Sequence, residues 1–211
     1  MATLQAMLAS ADQSVRLKAA LAAGTYPNPD FIEILVNQCS HEVDFFVRDT
    51  LSWALMRHDI PSVVNRLIPE LKSETAQARS QALHTFTKIG DKQYYPLITR
   101  NLLFDSEDSV AVTAWRTASV LVPEDEKSEL IDILITQLGR GDSDTQFALT
   151  RFLCNIGAKI VEPLMKAAQS PKEDVRTHAE FTVMRFKEME IENSKRSNVG
   201  GEGFEPPTSS V

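Results

Sequence analysis

Glycine is scarce in this chain, with 8 among 211 residues, which is below the usual share of about 7 %. Phosphate-cradling loops and turn-rich all-β folds both depend on glycine, so its scarcity argues against them. No run of about 18 apolar residues occurs, and the N-terminus lacks the basic, apolar and small-residue segments of a secretory signal. We therefore expect a cytoplasmic protein with no membrane association.

Basic residues and cysteines are also few. Lys and Arg number 22 against 29 Asp and Glu, which gives a formal net charge of -7. An acidic surface repels a phosphate backbone, so nucleic-acid binding is disfavoured. The two cysteines, Cys39 and Cys154, lie far apart and have no CxxC spacing. This indicates free core thiols rather than a disulfide framework or a zinc site.

An internal repeat is what the chain does contain. Six segments share one pattern, namely Asp12–Ala23, Asp44–Leu55, Thr75–Phe86, Glu107–Ala118, Asp142–Leu153 and Lys172–Val183. We align them on one column, made of Arg16, Arg48, Arg79, Ala111, Gln146 and Arg176. Small or apolar residues stand one before, three after and seven after this column, which is a helical period. A second apolar segment of helical period precedes each copy, so each repeat is predicted to hold two helices, A and B.

A two-helix unit of this size cannot bury its apolar face alone, so the copies must stack on one another. The sequence therefore predicts an all-α fold, a right-handed α-α superhelix (solenoid) of about six helix pairs over residues 1–192. From residue 193 the chain becomes rich in Gly, Pro and Ser and loses its apolar period. Residues 193–211 are predicted to be a disordered C-terminal tail.

The start of helix B carries a motif, an Asp shortly before a Val-Arg pair, which stands here as DQSVR, DFFVR and EDVR. It resembles the motif of HEAT repeats, which are ARM-type α-solenoids. The stretches ARSQALHTFTKIGD and ITQLGRGD are similar to small bacterial HEAT-repeat proteins. The resemblance covers nearly the whole chain and implies that the Asp and Arg side chains pair within and between repeats. Ala111 and Gln146 depart from the motif, so we expect the pairing to be broken there.

The candidate binding residues follow from the same register. The position five residues after the column lies about 200° from the core position at +3 and so faces away from the core. The resemblance implies that the B helices line the concave side. We therefore predict a mixed aromatic and basic partner-binding groove formed by Asp49, Trp53, Arg57, His84, Lys88, Trp115, Arg116 and Arg151. Trp and Arg dominate interface hot spots, but Trp53 and Trp115 could instead seal contacts between repeats.

These observations favour a non-catalytic, monomeric scaffold or adaptor that binds a protein partner. The alternative is a DNA repair protein, because HEAT-like alkylpurine DNA glycosylases use concave Trp, Asp and Arg side chains of the kinds found at Trp53, Asp49 and Arg116. The net charge of -7 opposes a DNA footprint. No nucleophile motif or glycine-rich nucleotide loop supports another enzyme.

We expect no metal or cofactor. HEAT-type deoxyhypusine hydroxylases hold iron with several His-Glu pairs in register, whereas His41-Glu42 is the only such pair in this sequence. Phycobilin lyases also occur among relatives of this repeat class. No residue signal supports that role here, because Cys39 and Cys154 stand in apolar contexts.

Overall fold

The computed structural model describes residues 2–199, with side chains described for residues 4–196. Within that range the chain is helical with turns and contains no strand. The α-helices are α1 (Ala2–Leu8), α2 (Gln13–Thr25), α3 (Phe31–Cys39), α4 (Phe45–Leu55), α5 (Ile60–Leu67), α6 (Ala76–Ile89), α7 (Arg100–Leu103), α8 (Asp108–Leu121), α9 (Lys127–Ile135), α10 (Ser143–Ile156), α11 (Val161–Ala167) and α12 (Glu173–Val199). The all-α class and the repeated helix pair are confirmed.

The even-numbered helices are the six predicted B helices. Asp12, Asp44 and Asp142 each precede one of them and accept a hydrogen bond from a backbone N–H in its first turn. These side chains satisfy donors that the first turn leaves unpaired. Helices α6 and α8 differ, because Thr75 and Glu107 occupy their N-cap positions and make no side-chain cap bond. The apolar stripe of the B helices, including Leu51, is buried.

Proline shortens the A helices. Helix α5 ends at Leu67, and Pro69 begins a 3-10 helix, Pro69–Lys72. Pro96 lies inside a second 3-10 helix, Lys92–Leu97, which leaves only four residues for α7. Pro163 is tolerated in the first turn of α11, where no intrahelical donor is lost. The remaining 3-10 helix, Ala158–Ile160, leads directly into α11.

The chain divides into two units, Met1–Leu130 and Ile131–Val211, and the division falls inside α9. In the first unit α2 packs on α4 and α6 packs on α8, and each has its A helix beside it. In the second unit α12 packs on both α10 and α11. No helix among residues 2–199 is long and apolar enough to cross a membrane.

Helix α12 runs past the predicted boundary at residue 192 and ends at Val199. Residues 193–199 contain neither glycine nor proline, so nothing in this stretch interrupts the backbone hydrogen bonds of the helix. The rest of the predicted tail, 200–211, lies outside the described residues.

Candidate functional site

The aligned arginine column forms clamps between neighbouring repeats in the first unit. Arg16 and Arg79 each donate through Nη1 to two backbone carbonyls five and six residues upstream. Each also donates through Nε and Nη2 to a carboxylate 26 residues downstream. The acceptors are Glu42 and Asp105, at 2.8 and 2.9 Å in both cases. Two parallel bonds of this kind fix direction as well as distance, so they hold successive repeats in register.

Arg48 occupies the same column and behaves differently. Its Nη1 donates to the backbone oxygens of Glu42 at 2.9 Å and Val43 at 2.7 Å. The residue 26 positions further on is Glu74, which is exposed and does not bind it. Across residues 4–196, Arg48 therefore has no carboxylate partner. Its Nε and Nη2 stay available to an incoming group.

Arg48 faces a cleft between α4, α6 and α8, all within the first unit. The cleft has a volume of about 180 Å³, and we refer to it as the α4/α6/α8 cleft. Its lining residues are Phe45, Arg48, Asp49, Ser80, Gln81, His84, Thr113 and Arg116. Three of the predicted binding residues, Asp49, His84 and Arg116, are thus brought together on three different helices.

Asp49 is the single carboxylate of this cleft, and Lys88 neutralises it. Lys88 Nζ lies 2.6 Å from Asp49 Oδ1, and His84 Nε2 lies 3.8 Å from the same oxygen. The hydrogen bond from Lys88 holds the pKa of Asp49 below its ordinary value. The pKa of His84 is also lowered, first by burial and then by the charges of Lys88 and Arg116. His84 is therefore neutral near pH 7, and its neighbour Arg116 is exposed.

The guanidinium of Arg116 makes no hydrogen bond or ion pair with any residue whose side chain is described. Arg116 lines the cleft from α8, and Arg48 lines it from α4. The cleft therefore carries two arginines that no carboxylate of the described chain compensates. An uncompensated pair of this kind attracts an anionic group.

Two phenylalanines at the start of α4 add an apolar surface beside Arg48. Phe45 is 66 % exposed and Phe46 is 67 % exposed, and their rings meet edge to face with centroids 5.7 Å apart. The candidate residues predicted from sequence include neither ring, nor Arg48. One signal was present, because Phe45 and Phe46 stand before the apolar positions of the aligned register, which begin at Val47.

The two tryptophans have different roles. Trp53 is 38 % exposed, and its six-membered ring lies against Gly24 of the neighbouring helix α2. It therefore seals a contact between repeats while one edge remains accessible. Trp115 is fully buried, and its Nε1 donates to the backbone oxygen of Leu103 at 2.9 Å. Its assignment to the binding groove is wrong, because a buried indole that caps the short helix α7 cannot contact a partner.

The remaining predicted residues lie apart from the cleft lining. Arg57 is exposed in the turn that follows α4. Arg151 belongs to the second unit, where it is exposed and lies over the ring of Phe152 at 5.1 Å from the ring centroid. A binding role for either arginine stays a prediction.

Comparison with known proteins gives a likeness of fold at low identity. No family model matches the chain, and no curated protein matches it. One similar crystal structure is an engineered protein of the Northeast Structural Genomics Consortium, with 17 % identity and a TM-score of 0.48 over 88 % of this chain and 98 % of that one. Another is the complex of CpcE and CpcF of phycocyanin lyase from Nostoc sp., with 20 % identity and a TM-score of 0.47 over 83 % of this chain and 73 % of that one. Likenesses at this level assign no activity.

Proposed function

We propose that this protein is a non-catalytic HEAT-type repeat protein that binds a protein partner through the outward face of α4, α6 and α8. The observation that carries the proposal is the grouping of exposed rings and uncompensated guanidinium groups on that face. Phe45 and Phe46 are exposed beside Arg48, and Arg116 completes the cleft from α8. Aromatic and arginine side chains contribute most of the binding energy at protein interfaces.

The clamps between repeats support a binding role. Arg16 and Arg79 tie their own loops to carboxylates of the next repeat, so α2 is held beside α4, and α6 beside α8, before a partner arrives. Lys88 links α6 to α4 through its ion pair with Asp49. A surface that is already ordered loses less conformational entropy on binding. Trp53 contributes in the same way, because its ring packs on Gly24 and leaves only one edge accessible.

The glycosylase alternative receives less support. Such an enzyme needs a free carboxylate and indole rings facing the base, whereas Asp49 is engaged by Lys88 and Trp115 is buried. A direct assay separates the two functions. Release of alkylated bases from damaged DNA by the purified protein at low salt would establish the alternative.

Affinity capture from the native cells tests the proposed function. We expect Arg116→Glu to reduce recovery of the bound protein about tenfold, since it reverses a charge at the centre of the surface. The guanidinium of Arg116 makes no hydrogen bond or ion pair within the described side chains, so the substitution breaks none. Arg185→Glu is a control for the same change of charge, because Arg185 is a half-buried arginine of the second unit that pairs with Glu188; its folding is checked by circular dichroism, since this substitution also removes that ion pair. Equal recovery with the wild type and both variants would reject this binding surface.

A further inference from the structure

We propose that the α4/α6/α8 cleft binds the carboxylate of an Asp or Glu side chain in a peptide segment of the partner, and that an adjoining apolar residue covers Phe45 and Phe46. This inference rests on the proposed function and specifies the chemistry of the partner. It follows from charge, from cleft geometry and from the neighbouring aromatic surface.

Three arginines occupy equivalent positions in the first three repeats, and among the described side chains only Arg48 lacks a carboxylate partner. Arg16 and Arg79 satisfy Nε and Nη2 with a carboxylate of their own chain, placed 26 residues downstream. Arg48 keeps the upstream carbonyl bonds of the same pattern but lacks that carboxylate. The same edge of the guanidinium that binds Glu42 or Asp105 in the other repeats is therefore open at Arg48. A carboxylate is the group that this edge is shaped to bind.

The geometry favours one acidic side chain. Arg48 and Arg116 reach the cleft from α4 and α8, and its volume of about 180 Å³ accommodates a small group. Asp49 does not compete, because Lys88 holds it at 2.6 Å. His84 is kept neutral by its lowered pKa and adds no further positive charge. The cleft thus presents two guanidinium groups to a space that accommodates one small acidic group.

A buried acceptor in the cleft lining points to a peptide rather than to a simple anion. Gln81 Oε1 is buried and has no hydrogen-bond partner among the described residues. An unpaired buried carbonyl is costly. Rotation of the Gln81 amide toward the cleft would let it accept a backbone N–H of the peptide. Chloride and sulfate offer no hydrogen-bond donor to this oxygen.

The aromatic surface and the net charge oppose a nucleic-acid ligand. A phosphodiester chain would bring a series of negative charges to a protein of net charge -7, where two uncompensated arginines cannot balance them. A peptide brings one or two carboxylates and an apolar side chain. That side chain removes Phe45 and Phe46, which are about two-thirds exposed, from water.

Selection from a phage library of random peptides tests the inference. We expect the peptides enriched on the wild-type protein to carry Asp or Glu next to an aromatic or aliphatic residue. A synthetic peptide of the selected sequence should lose about tenfold in affinity when its acidic residue is replaced by the neutral amide, and about tenfold against Arg116→Gln. The control Arg185→Gln should change affinity less than about twofold.

Arg48→Gln provides the second test of the same cleft. Arg48 also holds two loop carbonyls, so circular dichroism and thermal unfolding must first show a folded variant. If that variant does not fold, Arg116→Gln alone decides, because it removes no described hydrogen bond. We expect either folded variant to lose the preference for acidic peptides.

Four outcomes would overturn the inference. Peptides that lack acidic residues, or that bind equally after the amide replacement, would refute the carboxylate site; the proposed function would survive if partner capture still depended on Arg116. Failure to enrich any peptide would likewise refute the carboxylate site and leave the proposed function to the capture experiment. Binding of a single-stranded oligonucleotide that Arg116→Gln abolishes would instead identify a nucleic-acid surface and reject both proposals.

Discussion

Protonation of His178 should loosen the second unit of the protein. His178 is buried, and its Nδ1 accepts a hydrogen bond from the backbone N–H of Gly139 at 3.0 Å. Its Nε2 lies 3.0 Å from Thr150 Oγ1, and that hydroxyl lies 2.8 Å from Thr182 Oγ1. Thr182 Oγ1 in turn donates to the backbone oxygen of His178. The imidazole must therefore be neutral, with its proton on Nε2, for every donor to find an acceptor.

The pH dependence follows from this arrangement. Burial lowers the pKa of His178 below its ordinary value of 6.5, so below pH 6.5 the unfolded chain binds more protons than the native protein. The contribution of His178 to stability is fully present above pH 6.5 and is lost as pH falls toward the native pKa. The loss approaches about 1.4 kcal/mol per pH unit for one group. His178→Ala, which leaves the Gly139 N–H unpaired and opens a cavity, should cost roughly 2–4 kcal/mol at pH 7.5.

Denaturant unfolding of the wild type and of His178→Gln between pH 5 and pH 7.5 measures this effect. His178→Gln removes the titrating group, so its free energy of unfolding should fall less steeply with acid than that of the wild type. Burial also lowers the pKa of His84. His84→Gln should therefore be measured separately, and it should also reduce the change of the free energy of unfolding with pH. Equal slopes for the wild type and His178→Gln would refute the reasoning. Hydrogen exchange at the Gly139 amide provides a local readout.

Three further predictions concern the first unit and the thiols. Trp115→Phe removes the hydrogen bond to a backbone oxygen of α7 and should lower the free energy of unfolding by about 1–3 kcal/mol; an unchanged midpoint in denaturant would contradict this. Gly24→Ala places a Cβ against the ring of Trp53, so we expect destabilisation of about 1–3 kcal/mol that Trp53→Leu partly relieves, and a double-mutant cycle without coupling would argue against the contact. Burial raises the pKa of Cys39 to about 12 and also raises that of Cys154, so neither thiol should react with a disulfide reagent at pH 8 until the protein is unfolded. Rapid labelling of the native protein would disprove the burial of the thiols.

Much of the fold could be predicted because it depends on local rules that recur in each repeat. The helical apolar period placed the six B helices, and Asp12, Asp44 and Asp142 cap three of them. The short A helices coincide with Pro69 and Pro96, because proline lacks the backbone N–H that a continuing helix needs. The extension of α12 to Val199 was not predicted. The glycines and prolines that mark the tail begin only at residue 200, whereas the predicted tail began at residue 193.

The site was only partly predictable, because its contacts join different repeats. The position that faces away from the core holds Arg116, which is exposed, and His84, which is half-buried, but the same register left the flanking Trp115 ambiguous. The indole of Trp115 is buried, and its Nε1 donates to the backbone oxygen of Leu103 at the end of α7. Glu42 and Asp105 each lie 26 residues after their arginine, but this spacing can be recognised in the sequence only after the structure has shown the two ion pairs. The same spacing from Arg48 leads to Glu74, which does not bind it.

Chemical-shift mapping of isotope-labelled protein shows whether the α4/α6/α8 cleft is a binding surface. On titration with a selected acidic peptide, we predict the largest backbone shifts at residues 45–49, 80–84 and 113–116, which line or adjoin the cleft. The same peptide should produce no such shifts in Arg116→Gln. Shifts concentrated outside these three segments, or unchanged in the variant, would contradict the account.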